Sequence, residues 1–196
     1  MNNCDGVMNK SVCLERVRHW VETVVIGWNL CPFARKEFLQ DRIRFVVSEA
    51  EDEEALLHDL LSELELLERD AEIETTVLIH PGVLTDFYDY NQFLDYVDGL
   101  IVQYEYEGIF QVASFHPQYQ FAGTEPDDPE NYTNRSPYPI LHLLREDSLA
   151  QAIDRYQDVE GIPDRNIALL KSKTELEIEQ AFFPKGDVDS EEKAEK

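Results

Sequence analysis

The sequence predicts an α+β fold. It is read as a single domain with a mixed sheet of about four strands and helices mainly on one face, a two-layer relative of the ferredoxin-like fold. Three observations predict it. Hydrophobic patterning alternates between helical and strand periods in the order helix, strand, helix, strand, helix, strand, loop, strand, helix. The first three strands are each joined through a helix, the connection that makes parallel neighbours. The fourth follows the third with only a loop between, so it is expected to return antiparallel.

The elements follow in order. Cys13, Val17, Trp20, Val21, Val24 and Trp28 mark one helical face, with Ser11 as its N-cap and Gly27 near its end. Pro32 then opens a short helical turn toward Leu39. "RIRFVV", Arg42 to Val47, reads as the first strand. Glu49 to Arg69 reads as a helix with Leu56, Leu57, Leu60, Leu61, Leu64 and Leu67 inward and acids in its first turn, where the helix dipole favours them. "TTVLIH", Thr75 to His80, is the second strand. A helix from Tyr90 to Tyr104 follows, burying Phe93, Leu94, Val97 and Ile101, and "GIFQVASF", Gly108 to Phe115, is the third strand. "PILHLL", Pro139 to Leu144, is the fourth, before a short helix from Ser148 to Tyr156 and a last one beginning at Ile162. The reading divides the chain into an N-terminal extension, 1–10, the domain, 11–183, and a charged tail, 184–196, expected to be disordered.

Charge and cysteine content narrow the function classes. A net charge of −24 over 196 residues repels nucleic acid and anionic membranes, so neither is expected as a partner. Three cysteines, Cys4, Cys13 and Cys31, form no paired framework, which fits a reducing compartment. The N-terminus has no apolar stretch of signal-peptide length, and no run approaches the roughly 20 residues that span a bilayer. A cytoplasmic protein with a small-molecule ligand is the expectation.

The candidate site comes from the strand ends. Two strands close on the same dipeptide, His80-Pro81 and His116-Pro117. Proline lacks the N–H donor and stops the ladder, leaving each histidine as the last strand residue. If the strands are parallel, both histidines lie at the carboxyl edge of the sheet, where open α/β sheets place ligands. The loop that starts there, "QYQFAGTEPDDPENYTNRSPYP", is longer than a connector needs and dense in polar groups. The catalytic candidates are His80, His116, Glu125 and Arg135, with one histidine as acid or base and Arg135 receiving substrate charge through its planar fork. Asp128, Tyr132, Asn134 and His142, two residues inside the fourth strand after Ile140, are the binding candidates. His80 and His116 beside Glu125, Asp127 and Asp128 are candidate ligands for a divalent metal. The bland reading is a loop pinned by its own Asp, Asn and Thr side chains, with strand-terminal histidines bonded to carbonyls. Hydrolysis or another acid–base reaction on a small polar or anionic substrate is the expected class.

Two alternatives stand beside it. Cys31 before Pro32, with Arg35 and Lys36 close by, is how a thiolate is stabilised, and makes Cys31 a candidate nucleophile. Tyr119, Phe121, Tyr132 and Tyr138 suit the contact surface of a non-catalytic adaptor.

The strings "VVIGWNLCPFA", "ETTVLIHPGVLTDFYDYNQFLD", "QVASFHPQYQFAGTEPDDPENYTNRSPYPILHLLRE" and "RNIALL" together resemble an uncharacterised bacterial family, domain of unknown function 1415. The resemblance covers about residues 11 to 171 and departs at Trp28, where a smaller aliphatic residue is expected. It implies one domain and assigns no chemistry.

Overall fold

The computed structural model describes residues 9–182. The expected tail, 184–196, and most of the expected extension, 1–10, lie outside them. Four strands, β1 (Ile43–Val47), β2 (Thr75–Ile79), β3 (Phe110–Phe115) and β4 (Ile140–Arg145), form one mixed sheet in the order β1-β2-β4-β3. β1 and β2 are parallel, and β4 runs antiparallel to both of its neighbours, β2 and β3. The first three strands therefore point the same way, as the sequence predicts, but β2 and β3 are not neighbours. β4 fills the gap between them. Its residues Ile140, Leu141 and Leu143 are all fully buried, so it needs cover on both faces. β3 carries Gln111 and Ser114 and takes the edge, where polar side chains are tolerated.

The connections run βαβαββ, whereas a ferredoxin-like unit runs βαββαβ. Helices also pack on both faces, not mainly on one. The physical reason lies in β2, whose five residues are all buried, so neither side of it can face water. On one face α3 (Glu53–Arg69) and α4 (Phe87–Gln103) cover Leu78, Leu141 and Leu143. On the other, α1 (Lys10–Trp20), a π-helical turn (Val21–Ile26), α2 (Ala34–Leu39) and α7 (Glu175–Phe182) gather over Val77, Ile79 and Ile140. α5 (Glu146–Asp154), α6 (Ile162–Lys171) and a short 3-10 helix (Pro129–Thr133) in the long loop complete the described helices. None of those helices is long and apolar enough to cross a membrane.

Local chemistry sets the ends of these elements. Asp52 caps α3 by accepting from Ala55 N–H at 2.8 Å, and Asp86 caps α4 through Tyr88 and Asp89 N–H. Leu56, Leu60, Leu64 and Leu67 of α3 are each fully buried, worth roughly 1.5–3 kcal/mol apiece. Glu63, on the same helix, holds Arg44 of β1 through two parallel bonds at 2.7 and 2.9 Å. The Arg145 guanidinium donates to the carbonyls of Leu67, Asp70 and Ile73, tying the end of α3 to the sheet. The last helix expected from Ile162 is two helices. Thr174 and Glu177 form a reciprocal capping box, Thr174 N–H to Glu177 Oε2 at 2.8 Å and Glu177 N–H to Thr174 Oγ1 at 3.2 Å, which starts α7 afresh.

The first helix also departs from its expectation. Its apolar period continues past Trp20, but the backbone widens to a π-helical turn from Val21. Thr23 Oγ1 donates to His19 O at 2.6 Å, the carbonyl an α-helix would offer to the Thr23 N–H.

Truncating the α3 stripe tests this core. Leu60→Ala should lower the unfolding free energy by about 2–5 kcal/mol in urea titrations. Tyr88→Ala, at a side chain 72% exposed on α4, should stay within about 0.5 kcal/mol. Equal losses at the two positions would contradict the packing described.

Candidate functional site

The strand ends bring two of the expected residues together and close them off. His80 and His116 both sit at the carboxyl edge on the α4 face, fully buried, each against the Tyr90 ring at 5.7 and 5.1 Å between centroids. His80 Nδ1 donates to Val83 O at 3.1 Å. His116 Nε2 donates to Leu84 O at 3.2 Å, and its Nδ1 accepts from Gln118 N–H at 3.0 Å. The two imidazoles thus tie down the turn after β2 and the start of the long loop. His80 Nε2 is buried without a partner among the described residues. Burial pushes the His80 imidazole down to about 4 and lowers that of His116. Tyr90, beside them, donates to Ile140 O at 2.7 Å.

The long loop is held by its own side chains. Asn131, fully buried, is its hub: Oδ1 accepts from Phe121 N–H at 3.0 Å and Thr124 Oγ1 at 2.8 Å, while Nδ2 donates to Glu125 O at 2.8 Å. Asp128 Oδ2 accepts from Glu125 N–H at 2.8 Å. Arg135 donates to Tyr119 O and Pro126 O and lies 4.4 Å over the Tyr132 ring. Asn134 fastens the loop to β3 through Ser114 O at 3.1 Å. The aromatic residues face their own neighbours: Tyr119 packs on Phe87 and Phe121, Tyr132 on Phe182, and Tyr138 accepts from Arg16 Nη1 at 3.1 Å. Among the described residues no group of three or more His, Cys, Asp or Glu side chains has the arrangement of a metal site.

A different pair of candidates shares a cavity. On the sheet face opposite α4 lies a space of about 300 Å³, with walls that are mostly apolar. Its floor is built from alternate residues of all four strands, including Ile43, Val77, Ala113, Phe115, Ile140 and His142. Its walls come from Trp20 and the π-helical turn, from Cys31, Phe33 and Ala34, and from Leu149 and Ala152 of α5. His142 stands in the middle of this floor, between Val77 on β2 and Ala113 on β3 in the register.

The polar chemistry of the cavity centres on His142. Thr75 lies on its diagonal in the neighbouring strand, a separation side chains bridge. Thr75 Oγ1 is 2.5 Å from Leu143 O, and a carbonyl only accepts, so the hydroxyl proton points there. The His142 Nε2 to Thr75 Oγ1 bond, 2.8 Å, must then be donated by the ring. That fixes the tautomer and leaves Nδ1 with a bare lone pair. Nδ1 has no hydrogen bond among the described residues and is not among the sealed, unsatisfied atoms, so it opens into the cavity. Burial pushes this imidazole down to about 4, so it is uncharged at neutral pH. The Trp20 Nε1–H is buried without a partner among the described residues, its ring edge-on to Phe115 at 5.5 Å.

Cys31 is half-buried in the same cavity wall. Burial pushes its thiol up, opposed by the backbone N–H groups of Phe33 and Ala34. The cations expected to help it are engaged elsewhere: Arg35 donates to Ile26 O and Lys36 pairs with Glu37.

Sequence reasoning found His142 and Cys31 but grouped them with different partners. His80 follows the even-numbered residues of β2, which face α4. His142 pairs with odd-numbered Val77 and faces the other way. Thr75, which orients His142, was not singled out. Its signal, a threonine two residues from the strand position opposite a histidine, appears only once the register is known.

The model of a family described as protein of unknown function (DUF1415) matches residues 12–180, most of the chain. No curated protein and no solved structure matches.

Two measurements check this geometry. Long-range 1H–15N spectra should show His142 as the Nε2–H tautomer, neutral until the pH falls to about 4. Its folded value lies below the ordinary 6.5, so its contribution to stability is present above pH 6.5 and is lost as the pH falls toward 4. His142→Phe should therefore flatten the pH dependence of unfolding in that window, and an unchanged slope would contradict the placement. For the loop, Asn131→Ala should cost about 1–3 kcal/mol and speed proteolysis between residues 117 and 139.

Proposed function

We propose that this chain, which belongs to the DUF1415 family, binds a small, largely apolar organic molecule in the cavity between its sheet and the helices α1, α2 and α5. One observation carries the reading: His142 holds an unpartnered Nδ1 lone pair inside apolar walls, its tautomer set from behind by Thr75. A cavity of this size, lined mostly by hydrocarbon and aromatic groups with a few polar side chains and one oriented imidazole acceptor, has the general form of a small-molecule site. The apolar walls supply affinity and the imidazole supplies orientation.

This moves the site from the strand ends, where hydrolysis or other acid–base work on a polar or anionic substrate was expected from His80, His116, Glu125 and Arg135. His80, His116 and Arg135 are engaged in holding the turn and the loop together, both imidazoles are closed off, and the Glu125 side chain is exposed on the loop. A base with a value of about 4 is a weak proton abstractor at neutral pH. Binding, with His142 as acceptor, is therefore favoured over general-base catalysis.

A thiol-dependent reaction centred on Cys31 is the second reading, supported by its place in the wall of the cavity whose floor carries the free Nδ1. It requires that His142 assist the thiol. If alkylation of Cys31 by iodoacetamide proceeds at the same rate and with the same pH profile in His142→Phe as in the parent chain, this reading fails.

Alanine methyl groups report on the cavity. Ala34, Ala113 and Ala152 line it, whereas Ala50 and Ala55 belong to the core on the other face. In 13C-methyl spectra, neutral aromatic and aliphatic fragments should shift the first three and leave the last two unmoved. Ala113→Leu, which fills the floor beside His142, should weaken that binding about tenfold or more. Shifts spread over both faces, or binding untouched by Ala113→Leu, would defeat the proposal.

A further inference from the structure

We propose that the cavity selects a neutral aromatic molecule bearing one O–H or N–H donor, about the size of a single ring with a short alkyl chain, whose donor is received by His142 Nδ1. The inference rests on the cavity reading above and names the class of ligand.

Size comes first. An engineered apolar cavity of about 150 Å³ holds benzene. The space here is about 300 Å³, room for one ring and a short substituent. Shape comes next. Trp20, Phe33 and Phe115 offer three aromatic surfaces, and rings pack on one another edge-on or offset with extra stabilisation beyond buried area.

Polarity narrows the class further. With Nε2–H committed to Thr75, the one free polar atom of His142 is an acceptor, so the ligand must bring the proton. Burial keeps the ring neutral, so it offers a carboxylate or phosphate no charge. A bare lone pair facing an anion is unfavourable.

Charge around the cavity points the same way. Glu37 and Glu74 line it, both paired with Arg42, and Arg145 is the only cation in the lining among the described residues. Arg145 already donates through Nε and Nη2 to the carbonyls at the end of α3. An anionic ligand would have to compete with those carbonyls and approach two carboxylates. A neutral donor meets neither obstacle. A base near 4 also cannot take a proton from a phenol, whose ordinary value is about 10. The ligand keeps its proton and is held by a hydrogen bond.

The test uses three probes of nearly one shape on the full chain: 4-ethylphenol, ethylbenzene and 4-ethylbenzoate. Affinities are read from the Ala34, Ala113 and Ala152 methyl shifts. 4-Ethylphenol should bind roughly three- to tenfold more tightly than ethylbenzene, the worth of one net hydrogen bond, and 4-ethylbenzoate more weakly than either. In His142→Phe the phenol and the hydrocarbon should bind alike. Thr75→Val keeps the imidazole but removes the acceptor of its Nε2–H. It should reduce the preference for the phenol, and it serves should His142→Phe fold poorly. Equal affinity for phenol and hydrocarbon in the parent chain, a preference that survives both substitutions, or tightest binding of the benzoate would overturn the ligand class. Each would leave the cavity reading standing as long as ethylbenzene moves the three methyl groups. If no probe moves them, the cavity reading itself falls, and this inference with it.

Discussion

The structure depends on one constraint: the central strands β2 and β4 are covered by helices on both faces over most of their length. All five residues of β2 are buried, and three of the six in β4 are wholly inaccessible. A backbone in that position must pair on both edges and be covered on both sides. From this follow the mixed sheet, with β4 drawn in between two strands that run the other way, and the helical layers on both faces. The leucine stripe of α3 covers one side. The other side is covered by shorter elements from distant parts of the chain, and they do not close completely over the middle of the sheet. The cavity is what remains, and His142 stands on its floor because β4 carries a histidine where a central strand would otherwise carry an aliphatic residue.

Much of this was legible in the sequence. Four strands, the direction of three of them, and the helices between them could be read from apolar spacing, because local periodicity reflects which side of an element is buried. Double cover was not read: "TTVLI" shows no polar alternation, the mark of a strand buried on both faces, yet helices were expected mainly on one. Strand order was not legible. It depends on which pairing buries more surface, a comparison of non-local contacts that no window of residues contains. The faces of the histidines were hidden for the same reason. A one-residue change in register moves a side chain across the sheet, so His80 and His142 could be assigned to one site or two only when the pairing of Val77 with His142 was known.

The long loop illustrates a second limit. Its composition fits a binding loop as well as it fits a self-supporting one, because Asn, Asp, Thr and Arg hydrogen-bond equally well to a ligand or to a neighbouring carbonyl. Asn131 belongs to the self-supporting arrangement. With both ends of its amide turned inward to Phe121, Thr124 and Glu125, the segment satisfies its polar groups internally. The prolines restrict the unfolded chain and make that arrangement less costly to reach. The loop is long because it must travel from the end of β3, around Asn131 and past α6, before it can feed β4 into the centre of the sheet.

The π-helical turn at Val21–Ile26 has a consequence for the history of such a cavity. An i→i+5 turn accommodates one residue more than an α-helical turn. A single-residue deletion there would restore the ordinary helix and leave the residues on either side facing as before, because the N–H that closed the wide turn then closes an α-helical turn onto the same carbonyl. Only the turn itself would change, and with it Val21 and Val25 in the cavity wall. The cavity wall therefore has a built-in indel site, where one codon gained or lost reshapes the enclosed space locally without touching the strands beneath it.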